Sequence, residues 1–152
     1  MEKFMKKILF ILVIMLSISS IVFASDAKKY IADLDPAKDE KTIIEAADWV
    51  GKEKEKNASP KLIALLTDGR DKVRLSAVMA LGYIANADNI DSLHNVILTD
   101  KNATVRYAAV LSVMRINKPD KSGPVFLKAK ETETDPFIKD LFAKMEQKVK
   151  GK

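Results

Sequence analysis

The chain has 152 residues, with 26 Lys plus Arg against 21 Asp plus Glu, one His and no Cys, for a net charge of +5. That length holds one domain, and the absence of cysteine excludes disulfides, a thiol nucleophile, a cysteine-ligated metal and a lipid-modified cysteine. The charge excess is mild and both signs are interspersed, whereas nucleic-acid binding concentrates basic residues on one face.

Residues 1–24 read as an export signal rather than as fold. Lys3, Lys6 and Lys7 precede the apolar run Ile8 to Leu16, which Ser17 to Phe23 continue and the small Ala24 ends. A basic start, a short apolar core and a small last residue describe a secretory signal peptide. Ile8 to Ala24 is 17 residues with three serines, short and interrupted for a membrane span. Cleavage near Ala24 is expected, the alternative being an uncleaved N-terminal anchor, and that segment is the only membrane contact foreseen. Either way the remainder is exported, and with no anchoring cysteine a bacterial periplasmic location fits best. Removing residues 1–24 takes away three lysines and one glutamate and leaves about +3.

Beyond the signal, apolar residues recur at spacings of 3, 4 and 7 without β-branched alternation, so the fold class is all-α. Residues 25–40 make a leader or short N-terminal capping helix and 41–152 the main domain. Asp35-Pro36 offers a cap for a long segment ending in Lys52 to Lys56. Ser59-Pro60 puts a capping oxygen before a proline at the first helical position, opening Lys61 to Leu66. Helices over about 71–85, 88–99 and 103–116 follow. Lys118-Pro119 and Gly123-Pro124 then interrupt the chain, leaving Val125 to Lys130 as a short helix before Asp135-Pro136 opens a last one over Pro136 to Val149.

These helices come as a repeat. Asp68 to Ile84 returns as Asp100 to Ile116, with Val73-Arg74, Ala77-Val78 and Ile84 matched by Val105-Arg106, Ala109-Val110 and Ile116, a period of 32 residues. Leu65-Leu66-Thr67 likewise becomes Ile97-Leu98-Thr99. Fainter copies lie upstream at Ala46 to Gly51 and downstream at Ile138 to Phe142. A period of this size marks a solenoid, in which each unit buries its apolar face on its neighbours and the end units act as caps.

Val73-Arg74, then Ala77, then Ala80-Leu81-Gly82 and Ile84, resembles the second helix of HEAT repeats, most of all the short HEAT-like repeats of the phycobilisome lyase type. The resemblance covers about 41–149 and is strong over 65–117. The Trp-x-x-Leu-Gly and Tyr signals of tetratricopeptide repeats and the Thr-Pro-Leu-His of ankyrin repeats are absent. It implies a right-handed α-solenoid of about three and a half helical hairpins, helix A and helix B in each. Asp68 and Arg74, Asp100 and Arg106, and Glu133 and Lys139 are each six apart; in the family such an acid and base form a ladder between units, the acid also capping helix B. The other reading is of ordinary solvated charges.

Little is left for catalysis, and none is expected. His94 is the single histidine, expected at the surface or half-buried, with no second one for a metal pair. No Gly-x-Ser-x-Gly turn or phosphate-cradling glycine loop occurs, and Asp88 and Asp91 suit the positive end of a helix without a metal. No cofactor is called for.

A binding face is the sharper expectation. Leu75, Met79 and Tyr83 step by four along helix B, off its core stripe of Val73, Ala77, Leu81 and Ile84. Their counterparts are Tyr107, Leu111 and Arg115, then Asp140, Lys144 and Lys148, and upstream Ile44, Asp48 and Lys52. In HEAT-like stacks the B helices line the concave side, which implies a groove with an apolar, aromatic middle and a basic end; plain helix packing is the alternative use of these residues. Trp49, standing where Ala80 stands in the next unit, is expected as a core plug. The expected function is a monomeric, exported adaptor for a protein or peptide. A membrane-tethered spacer, and a lyase-type ligand handler, are the alternatives.

Overall fold

A computed structural model describes Met5 and residues 26–150; the expected export segment, Met5 apart, lies outside the described residues. These hold eight α-helices and no strand: α1 (26–33), α2 (Glu40–Lys52), α3 (Ser59–Leu65), α4 (Asp71–Ile84), α5 (Ile90–Thr99), α6 (Ala103–Ile116), α7 (Pro119–Thr132) and α8 (Pro136–Lys150). Three hairpins follow the half unit α2, because α3 packs on α4, α5 on α6 and α7 on α8. The hairpins stack as an α-solenoid, with α2, α4 and α6 side by side as B helices.

The leader is a capping helix. Ala27 and Leu34 are buried, and Tyr30 stacks on Trp49 with ring centroids 4.6 Å apart and planes 17° from parallel. Trp49 is therefore half-buried between the cap and the core, at the capped end of the stack. Asp35 does not open α2: its carboxylate accepts from the Ala37 amide, a local turn around Pro36. Asp39 caps instead, accepting from the Thr42 amide at 3.0 Å and the Thr42 hydroxyl at 2.6 Å. Ser59, expected as a cap, is the first residue of α3, and its buried hydroxyl accepts from Asn89 of the next unit at 3.0 Å.

The B helices α2, α4 and α6 end in the same way. Lys54, Ala85 and Asn117 take φ of 54°, 52° and 57°, the left-handed turn that closes a helix. They lie 31 and 32 residues apart, so the repeat is written in the backbone as well as the side chains. Asparagine tolerates that conformation; alanine is strained by its Cβ. Ala85→Gly is therefore expected to stabilise the protein by about 0.5–1 kcal/mol, the relief of strain exceeding glycine's extra unfolded freedom, as a rise in the urea midpoint at unchanged slope.

The helix expected over Val125 to Lys130 is longer than that. It starts at Pro119, which suits a first helical position, and runs through Pro124 to Thr132. Pro124 is six residues into the helix, so one backbone bond is lost near its start. Gly123 before it has no Cβ to strike the proline ring and meets nothing within 4 Å.

Small residues set how closely the B helices stack. A Cβ on Gly51 would stand 3.0 Å from Ala80 Cα, and one on Gly82 would stand 2.3 Å from Ser112 Oγ. These contacts bring α2 to α4 and α4 to α6 almost backbone to backbone. One period on, the matching residues are Met114 and Met145. There α6 and α8 do not join in the close row. A cleft of about 460 Å³ opens between them.

Candidate protein-binding face

Between the turns that precede the B helices, charge runs from unit to unit. Arg74 holds both oxygens of Asp100 at 2.8 and 3.0 Å, and Arg106 holds both of Glu133 at 2.9 and 2.6 Å. Each arginine also donates to the backbone oxygen of the acid six residues before it, Asp68 and Asp100 respectively, at 2.8 and 2.9 Å. The ladder acid of the next unit, and not the one six residues before, is thus the ionic partner, Arg74 holding Asp71 of its own helix besides. Lys139 does not continue the series. The first rung is Arg70 on Asp68, with its remaining N–H groups on the Pro36 and Lys38 carbonyls of the cap. The ladder acids do not cap helix B. That is done two residues later by Asn102 for α6 and Asp135 for α8, while Arg70 occupies the position ahead of α4 without capping it.

Arg106, aided by the Asp135 and Thr134 amides, holds the Glu133 carboxyl down at about 2 from an ordinary 4.5, against the opposing effect of burial. A carboxylate whose folded value is depressed stabilises fully above its unfolded value and loses that contribution as pH falls through the folded one. On the order of 3 kcal/mol should therefore be lost between about pH 4.5 and pH 2. Urea unfolding across that range checks it: Glu133→Gln should be less stable at neutral pH and lose less on acidification.

His94 is buried, not superficial, because α7 covers it. Its Nε2 lies 3.1 Å from the buried Ser122 hydroxyl and its Nδ1 3.8 Å from an Asp91 oxygen. Burial lowers its pKa, Asp91 opposing and Lys121 reinforcing. The order Asp91, His94, Ser122 invites comparison with a catalytic triad, but 3.8 Å is too long for the orienting hydrogen bond. Ser122, 2% exposed, cannot meet a substrate. The pair ties α5 to α7. Among the described residues no three of His, Asp and Glu converge where a metal could sit, and no helix is long and apolar enough to cross a membrane.

Of the side chains expected to form the groove, four large ones on α4 and α6 are open to solvent. Met79, Tyr83, Tyr107 and Leu111 are each about 40% exposed, in a protein whose other large side chains on α4 and α6 are mostly buried. Leu75 is half-buried. Arg115 of α6 reaches across to α4, its guanidinium carbon 4.4 Å from the Tyr83 ring centroid, so equivalent positions of adjacent units touch. Lys144 and Lys148 lie across the cleft on α8, both exposed. Lys144 is already paired with Asp140 at 2.6 Å, which raises its pKa, and at the opposite end Lys52 is likewise held by Asp48.

A family model for HEAT repeats matches residues 59–144, more than half of the chain. The chain belongs to the HEAT-repeat family. The three A–B hairpins from α3 to α8 supply that match, and α1 and α2 stand before it as half unit and cap. No curated protein matches the sequence. Within the HEAT stack, the cleft between α6 and α8 went unforeseen. It is lined by Ala103, Tyr107, Phe137 and Leu141, with Asp140 and Lys144 at its edge. Phe137 is 78% exposed. The signal was present as an apolar step of four from Phe137 to Leu141, one helix beyond the two that carry the strong repeat.

Proposed function

We propose that this HEAT-repeat protein is an exported, non-catalytic adaptor that holds a protein or peptide against the concave, B-helix side of its stack. The observation that carries the reading is the continuous row of Met79, Tyr83, Tyr107 and Leu111 left open to solvent. Apolar surface gathered in one patch and rimmed by charge is typical of interaction sites, and tyrosine, methionine and arginine favour interface centres. Leu75, Arg115, Lys144 and Lys148 complete the face, with Arg115 and Lys148 offering positive charge to acidic groups. Export rests on Lys3, Lys6, Lys7 and the apolar run from Ile8, with a periplasmic site as the proposed location. The finer likeness to the phycobilisome lyase type supplies no nucleophile or paired acid, and we read no activity from it.

Tyr107→Ala tests the face. It is expected to weaken partner capture about tenfold or more, as loss of a central aromatic does, with little change in melting temperature. In-cell cross-linking of both forms, followed by identification of the co-purified envelope protein, measures the first. A melting loss equal to that of Leu81→Ala would make Tyr107 a packing residue and sink the assignment. The mature N-terminus decides export: a start near Ser25 supports cleavage, and an intact Met1 in the membrane fraction supports a tethered spacer.

A further inference from the structure

The chain has four arginines, and three of them are satisfied inside the fold. Arg70 grips Asp68, Arg74 grips Asp100 and Arg106 grips Glu133, each through two N–H groups. Arg115 differs. It is exposed, its guanidinium sits over the Tyr83 ring, and among the described residues it makes no ion pair. Stacking fixes the position of the group while leaving its N–H fork unused, and such a fork matches a carboxylate in two parallel hydrogen bonds. Part of the ordering that binding would demand is thereby already done.

Two turns earlier on the same helix, Tyr107 forms one wall of the α6–α8 cleft. Eight residues of helix set Tyr107 and Arg115 about 12 Å apart along α6, with the exposed Leu111 between them; because the guanidinium leans towards α4 and the cleft faces α8, the two features stand further apart than that rise. The cleft offers about 460 Å³ bounded by Tyr107, Phe137 and Leu141, ample for one large apolar side chain. At its edge Lys144 is occupied by Asp140, so it competes poorly for an incoming acid.

We infer that this face recognises a partner-protein segment carrying a carboxylate and a large apolar side chain at least about 12 Å apart, the carboxylate on Arg115 and the apolar group in the α6–α8 cleft. The inference rests on reading the B-helix side as a protein-binding face. The separation corresponds to at least about eight residues in a helical segment, or at least about four in an extended one.

A random peptide library displayed on phage and selected against the full chain supplies the probe, with affinities of the enriched peptides read by fluorescence anisotropy. Enrichment of Asp or Glu together with Trp, Phe or Leu at that separation is expected. Arg115→Gln should weaken the selected peptide roughly tenfold to hundredfold, and should have almost no effect once the peptide's acid is replaced by its amide. Phe137→Ser, a change at a side chain outside the core, should weaken it independently of the acid. If Tyr107→Ala abolishes binding while Arg115→Gln and Phe137→Ser leave it unchanged, the inference is overturned and the B-helix face stands. If no peptide is enriched, or all bind indifferently to the three substitutions, both fall.

Discussion

Arg74→Ala is expected to destabilise the protein by roughly 3–5 kcal/mol, the range for breaking one side of a buried ion pair. The Asp100 side chain is only 5% exposed and takes two hydrogen bonds from Arg74. Without the guanidinium it keeps the Asn102 amide and little else, and the Asp68 carbonyl and Asp71 carboxylate lose a donor as well. A surface ion pair would be worth less than about 1 kcal/mol, so the two cases are easily told apart by urea unfolding. Arg74→Lys should fall between, since a lysine cannot form the bidentate fork. Arg74→Ala combined with Asp100→Asn should cost clearly less than the two changes summed, because each leaves the other's partner buried and unpaired. A loss below about 1 kcal/mol for Arg74→Ala would reduce the ladder to solvated charges.

Gly82→Ala is expected to cost about 2–3 kcal/mol, a sign opposite to that at most helical glycines, where alanine gains up to about 1 kcal/mol. The added Cβ would meet Ser112 at Oγ (2.3 Å), Cβ (2.6 Å) and Cα (3.0 Å). Rotating the hydroxyl removes only the first of these clashes and gives up its hydrogen bond to the Val78 carbonyl. The other two can be relieved only by moving α4 and α6 apart, which also pulls Arg115 from Tyr83. Ser112→Gly in the same chain should recover part of the loss by moving the small residue to the other side of the contact. Gly69→Ala, with nothing within 4 Å of the new methyl, is the control and should be near neutral. A Gly82→Ala protein as stable as the parent would show that α4 and α6 can separate freely.

Much of this architecture is legible in the sequence because a repeat states each local decision twice. Val73 and Val105, Ala77 and Ala109, and Arg74 and Arg106 are buried or half-buried at the same places in successive units, and the periodicity that finds them is a property of one helix. What lies between units is harder to read. Arg74 reaches Asp100 rather than the side chain of Asp68 because the translation from unit to unit, absent from any local spacing, brings the next acid alongside. His94 could be judged only with α7 in place above it. Pro124 reads as a breaker, yet so near the start of a helix a proline removes just one bond. The α6–α8 cleft lies between two helices, and no spacing within either one announces it.

The close row of α2, α4 and α6 also divides the molecule mechanically. Where α2, α4 and α6 meet backbone to backbone, bending would have to compress packed atoms, so those helices resist deformation as one stiff plate. The last hairpin joins the rest through the Arg106–Glu133 rung, the His94–Ser122 contact with α5 and the buried Ala129, Ile138 and Phe142, with the cleft beside α6 along one edge. Strain applied along the stack therefore collects at this joint, and thermal opening begins there. Backbone amides of α7 and α8 should exchange with solvent through partial detachment, well before those of α4, which wait for the whole plate to come apart.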